Sequence, residues 1–261
     1  MPRRPSPGSG ETHRAPRRWA ARGVKILAIH SSPRPRNLSH TAVMLEASRS
    51  YLAERRPAWR YEETALWNLD ITTCDGNGRC FRRDGCTFVD DAETLIDAML
   101  AADGVILASP NYCANVNSTM MRFIERTTRL SHRQLLAGKG ALAMSTSASP
   151  FDAPYAAEYL RRVLGSYGAS VVDVCNIGSP MIVFDYGETA AGEAMRASLD
   201  AFISAVESPS EHVPEETFGV DIRRSLREHP EVAKRLFRSD ERYFAEQDRT
   251  TKERATDDAS H

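Results

Sequence analysis

Lysine is scarce in this chain: four of its 34 basic residues are Lys and the remaining 30 are Arg. We read that bias as GC-rich coding, so a single arginine is not by itself a selected binding group. An excess of positive charge is also missing, because 35 acidic residues bring the formal net charge to −1. Without a global positive field, neither counterion release from nucleic acid nor attraction to anionic lipid is available, and nucleic acid is not an expected partner. Nowhere do roughly 18 consecutive apolar residues occur, so no membrane span is expected. The Arg17-Arg18 pair is followed by VKILAIH from Val24, too short for the apolar core of an export signal. The five cysteines are an odd number without a secretory leader, which fits a reducing compartment and a cytoplasmic location better than a disulfide scaffold. What is present is ordinary: 261 residues, 41% hydrophobic and 26% charged, enough for one large domain or two small ones.

The charge is unevenly placed. Residues 1–22 hold six Arg, four Pro and one acid with no apolar periodicity, and are expected to form a disordered basic arm. From Ser208 onward 13 acids face 10 bases, and two charged helical patterns, VDIRRSLREHPEVAKRLF and DERYFAEQDR, predict a charged helical tail over 208–261. Between them, residues 23–207 alternate short apolar runs with helical patterns, the signature of βαβ units. VKILAIH and GVILASP read as buried strands, the second stopped at Pro110. WRYEETALWNL reads as a weaker, partly exposed strand, GALAMSTSAS as strand then loop, and SVVDVCNIG as the fifth strand. Helices are predicted over Ser39–Leu52, from about Asp91, over Asn117–Leu130, over AAEYLRRVLGSYG and from about Glu188 to Val206. Five strands and five helices predict a doubly wound parallel sheet, whose ligands sit at the carboxyl ends of the strands.

The first such loop, SSPRPRNLSHT, joins the first strand to the first helix. It offers the hydroxyls of Ser31, Ser32, Ser39 and Thr41, the cation of Arg34 and the free amides of a helix start, which together suit a terminal phosphate. No Gly-x-Gly-x-x-Gly occurs there, so a dinucleotide pyrophosphate is not encoded and a monophosphate fits better. Ser39 and Thr41 could equally be helix caps alone.

This loop, the stretch TTCDGNGRCFRRDGCTFVDD and the run ADGVILASPNYCANVNSTMMRFIER together resemble the flavodoxin-like NAD(P)H-dependent FMN reductase and iron-sulfur flavoprotein family over about residues 24–205. The resemblance implies a flavodoxin-like five-stranded sheet and FMN as cofactor, with NAD(P)H as co-substrate. It places the FMN phosphate on Ser32, Arg34, Ser39 and Thr41, with His40 where the family usually has Asn. Ser109, Pro110, Asn111 and Tyr112 would lie along the ring, followed by Asn115 and Val116, and Ser145 and Ser147 would add hydroxyl contacts from a third loop. The implied activity is electron transfer from a nicotinamide to a small organic acceptor: a quinone, a nitro or azo aromatic, a flavin or a pathway intermediate. The cofactor carries that chemistry, so no catalytic nucleophile or base is expected. A homodimer or tetramer is also implied.

The cysteine stretch leaves two readings. Cys74, Cys80 and Cys86 are spaced C-x5-C-x5-C, and the cluster-binding branch has a fourth Cys where this chain has Asn77. An iron-sulfur cluster normally takes four thiolates, so the segment is either a defective metal site or an ordinary loop around two Gly turns. Cys113 and Cys175 read as small packing residues. Two other function classes are therefore carried: an electron-transfer iron-sulfur flavoprotein, and a flavodoxin-like binding protein without cofactor.

Overall fold

A computed structural model of the protein describes residues 23–83, 85–148, 153–178, 186–208 and 224–258. The expected basic arm, residues 1–22, lies outside these, as does Ser149 at the end of the third loop.

The strands are β1 (Lys25–His30), β2 (Arg60–Ala65), β3 (Gly104–Tyr112), β4 (Asn115–Val116), β5 (Gly140–Ser147) and β6 (Ser170–Gly178). Five of them pair in parallel in the order β2-β1-β3-β5-β6, and β4 pairs antiparallel with β3. This is the flavodoxin-like doubly wound order, which puts its switch point between β1 and β3. The helices are α1 (His40–Arg55), α2 (Asp91–Ala101), α3 (Ser118–Arg126), α4 (Thr128–Arg133), α5 (Ala153–Ser166), α6 (Ala190–Glu207), α7 (Pro230–Leu236) and α8 (Arg238–Asp258).

Strand alternation divides the core into two layers. Leu27, Ile29, Val105, Leu107, Ala141 and Ala143 face one side, against α2, α3 and α5. Ile26, Ala28, Ile106, Ala108, Leu142 and Met144 face the other, where Met44 and Leu45 of α1 and Leu199, Phe202 and Val206 of α6 cover them. Burying each large apolar side chain contributes about 1.5–3 kcal/mol, which makes the central strands the most strongly specified part of the chain. Gly140 is required by the approach of α6, since a Cβ there would lie 2.7 Å from the Val206 backbone nitrogen.

Four boundaries differ from expectation. Pro110 does not stop β3: it stays in register with Thr146, and the strand runs on to Tyr112 before folding back as β4. Ser145 and Ser147 belong to β5 rather than to a loop. The helix expected over Asn117–Leu130 breaks at Thr127, whose hydroxyl donates to the Ile124 carbonyl at 2.7 Å and also pairs with the Tyr167 hydroxyl. The half-exposed β2 is shorter than WRYEETALWNL, ending in a 3-10 turn over Leu66–Asn68.

Candidate FMN site

The carboxyl ends of β1, β3 and β5 meet at one rim, and the three loops expected to carry chemistry arrive there. After β1 the chain makes a 3-10 turn over Arg36–Leu38 and enters α1 with Ser39 as N-cap, its Oγ accepting from the Ala42 amide at 3.1 Å. The same hydroxyl donates to Ser32 Oγ at 2.7 Å, so the two hydroxyls named from sequence are brought together across seven residues. Capping engages the Ala42 and Val43 amides, and the Thr41 amide sits in the first turn of α1, at its positive end, where helix amides have no intrahelical acceptor. Arg34 is exposed and makes no ion pair or hydrogen bond among the described residues, whereas Arg36 is committed to Glu63 at 2.5 Å and Glu46 at 3.1 Å. Burial, and then the charge of Arg34, hold the His40 imidazole below its usual range. His40 therefore adds no cation at neutral pH, and Arg34 is the cation this loop can offer. A cavity of about 480 Å³ opens beside it, lined by Ser32, Arg34, Arg36, His30, Glu63 and Trp67.

The β3 loop is fastened to this loop by a small polar network. Ser31 Oγ donates to Ser109 Oγ at 3.1 Å, Ser109 Oγ donates to the Pro110 carbonyl at 2.9 Å, and the Asn117 amide donates to Ser109 Oγ at 3.3 Å. Asn117 Nδ2 reaches the Ser31 carbonyl at 2.7 Å while its Oδ1 caps α3. Ser109 is thus fully buried and serves as a tie between β1, β3 and α3. Asn111 Nδ2 donates to Ser147 Oγ at 3.3 Å, joining the second and third groups of residues, and Tyr112 stands half-exposed at the rim. The turn between β3 and β4 places Cys113 and Ala114 at φ +51° and +58°. Such a left-handed pair normally takes Gly or Asn and costs about 1–2 kcal/mol per residue otherwise. Asn115 forms the β4 side of this turn, exposed, and Val116 beside it is buried.

On β5, Ser145 donates to Asn176 Oδ1 at 3.0 Å, and the hydroxyl that reaches the β1–α1 loop is that of Thr146, 2.8 Å from Thr41 Oγ1. Thr146 and Asn117 were not named as site residues from sequence, and Ser31, named there as a hydroxyl of the loop, turns out to tie β1 to β3 and α3. Period-2 alternation could have found Thr146, because Leu142 and Met144 on the same face pack toward α1.

The cysteine loop lies apart, between β2 and α2. Cys74 is exposed, and Cys80 and Cys86 are partly buried. Burial raises the Cys80 thiol above its ordinary range, with Cys86 and Cys74 near enough to add to the effect. The loop's two ends are stapled by a buried pair: Arg126 donates to Asp90 at 2.5 and 3.1 Å and to the Thr72 carbonyl at 2.7 Å, and Asp90 Oδ2 accepts from the Thr72 amide at 3.0 Å. Burial opposes ionisation of Asp90, yet the hydrogen bonds from Arg126, Thr72 and Ala92 prevail and hold it at about 2.

Residues 24–180 match the family described as NADPH-dependent FMN reductase. The chain belongs to this family. The FMN reductase relatives include an iron-sulfur flavoprotein of Archaeoglobus fulgidus, 31% identical over 145 residues that cover 56% of this chain and 64% of the relative. An FMN-dependent NADH:quinone oxidoreductase of a Nostoc species is 28% identical over 137 residues, 46% of this chain and 64% of the relative. The chain spans just under two thirds of the length of these curated relatives. Among solved structures, an NADH:FMN oxidoreductase in its apo form superposes with a TM-score of 0.56 at 25% identity, covering 76% of this chain and 99% of that one. Family membership implies FMN as the cofactor, and the first-turn amides of α1, the exposed Arg34 and the converging hydroxyls are a donor set that fits its phosphate.

Proposed function

We propose that this chain is an FMN-dependent NAD(P)H oxidoreductase that passes electrons from a nicotinamide to a small organic acceptor. The observation that carries the reading is the β1–α1 loop, where the exposed Arg34 guanidinium, hydroxyls and a helix start converge next to the sheet's switch point. Ser32, Arg34, Ser39 and Thr41 would hold the phosphate, with His40 uncharged beside them. Thr146 would orient Thr41. Asn111, Tyr112, Asn115, Val116, Ser145 and Ser147 would border the ring, and the tie through Ser109, Asn117 and Ser31 would fix the distance between phosphate and ring contacts. When bound, FMN supplies the hydride-accepting and electron-passing chemistry. The chain's own tasks are to fix the cofactor and to leave one face of it open. Its side chains then need no nucleophile and no general base.

Acceptors of the reading are quinones, nitro or azo aromatics, free flavin or a pathway intermediate, and the Nostoc relative's name favours testing a quinone first. The reading also includes assembly as a homodimer or tetramer and a cytoplasmic place, consistent with five free cysteines. Among the described residues no helix is long and apolar enough to cross a membrane.

The test is the absorbance spectrum of the purified protein, followed by chromatography of what denaturation releases and by NADH and NADPH oxidation with and without a quinone. Oxidised-flavin bands, released FMN and acceptor-dependent turnover are expected. A colourless protein that retains no added FMN would instead support the cofactor-free binding class.

A further inference from the structure

The relatives named iron-sulfur flavoproteins raise the question of what this chain's own cysteine loop holds. A cluster takes four thiolates, and here three cysteines are available. The fourth position of the spacing, Asn77, is spent within the loop: its Nδ2 donates to both carboxylate oxygens of Asp75 at 2.5 and 2.6 Å, and its Oδ1 accepts from the Arg79 amide at 2.8 Å. Cys86 lies against the guanidinium of Arg126, and its backbone amide donates to Glu93 at 3.1 Å, which in turn pairs with Arg129 at 2.6 Å. Among the described residues no group of three or more His, Cys, Asp or Glu side chains is arranged to hold a metal ion. These residues do not fit a cluster.

They do fit another occupant, which is the end of the same chain. Phe81, next to Cys80 in the loop, stacks on the His132 ring at 4.2 Å and 11°, and Phe237, between α7 and α8, closes on Phe81 at 5.5 Å. Below this stack Asp240 of α8 is fully buried. Its Oδ2 lies 3.0 Å from His132 Nδ1 and its Oδ1 accepts from Arg133 Nε at 2.6 Å, while Ser239 also accepts from Arg133. The Asp240 carboxylate is also near enough to Cys80 to disfavour a thiolate there, the form a cluster ligand must take.

We propose that the cysteine loop is the docking seat of the C-terminal helices, which hold it folded in place of an iron-sulfur cluster, so that electrons leave this protein directly from its flavin. This rests on the oxidoreductase reading for its last clause. The small organic acceptors of that reading would then meet the open flavin face directly, with no iron-sulfur relay between.

The experiment has two arms on the full-length protein. In the first, the protein is incubated anaerobically with ferrous iron, sulfide and thiol, desalted, and analysed for iron, acid-labile sulfide and flavin. The proposal expects no retained iron or sulfide at unchanged flavin content. Stoichiometric iron and sulfide that disappear in Cys86→Ser would overturn it while leaving the oxidoreductase reading intact, whereas absence of flavin with absence of iron sinks only that reading. In the second arm, alkylation of Cys80 is followed by mass spectrometry in wild type, Asp240→Ala and the milder Phe237→Ala. Loss of one charge-assisted contact should raise the rate at least about tenfold. An unchanged rate in both variants contradicts the seat.

Discussion

The β1–α1 loop and the cysteine loop are both polar and both lie at carboxyl ends of strands, yet they use their polar groups in opposite ways. In the first, Arg34 is exposed with no ion pair or hydrogen bond among the described residues, and the Thr41 amide lies in the first turn of a helix. In the second, Asp90, Arg126, Asn77 and Glu93 are all engaged by neighbouring protein groups, and Asp240 comes from far along the chain to join them. The anion-receiving role proposed for the first loop calls for donors left exposed, at some cost in the loop's own stability. A loop that must hold itself together spends them.

That contrast can be broken from either side. The largest expected effect is at the self-contained loop: Arg126→Ala leaves Asp90 buried without its cation and should cost about 3–5 kcal/mol in urea unfolding, with Arg126→Lys intermediate. The same pair sets an acid limit. Because folded Asp90 sits at about 2 against an ordinary 3.8, its contribution is complete above the ordinary value and is lost as pH falls through the folded one. Wild-type stability should therefore drop between pH 4 and 2, and Asp90→Asn should be flatter across that window. At the receptive loop the effect moves from stability to binding. Arg34→Ala should weaken FMN by about 10- to 100-fold, the worth of a hydrogen bond to a charged group, while the melting temperature of the apo protein stays within about a degree. Equal stability losses at Arg34 and Arg126 would erase the distinction. The smallest effect is at the strained turn, where Ala114→Gly should stabilise by about 1 kcal/mol by relieving a left-handed alanine.

Much of the fold was legible because the buried strands carry uninterrupted apolar runs and the helices after them open with Ser39, Asp90 and Asn117, each of which does cap its helix. The misread boundaries were decided by distant partners. Thr127 breaks a helix because of Tyr167, and Pro110 stays in a strand because β5 and β4 continue the pairing around it. For the candidate site, local chemistry pointed to Arg34, Ser39 and Thr41, since a helix start is a local feature. Thr146 was hidden because its partner lies 105 residues away. The β3–β4 turn carries Cys-Ala instead of the Gly or Asn that would have signalled it. The stack of Phe81, His132 and Phe237 joins three segments, so no spacing could have revealed it.

The central claim is that the β1–α1 loop receives a phosphate, and it is tested most directly by titrating the apo protein with FMN and with riboflavin, which lacks the phosphate, in wild type and Arg34→Ala. The account predicts that wild type binds FMN at least about 100-fold more tightly than riboflavin and that Arg34→Ala closes most of the gap by weakening FMN alone. Equal affinities for the two ligands in wild type, or an unchanged gap in Arg34→Ala, would contradict it.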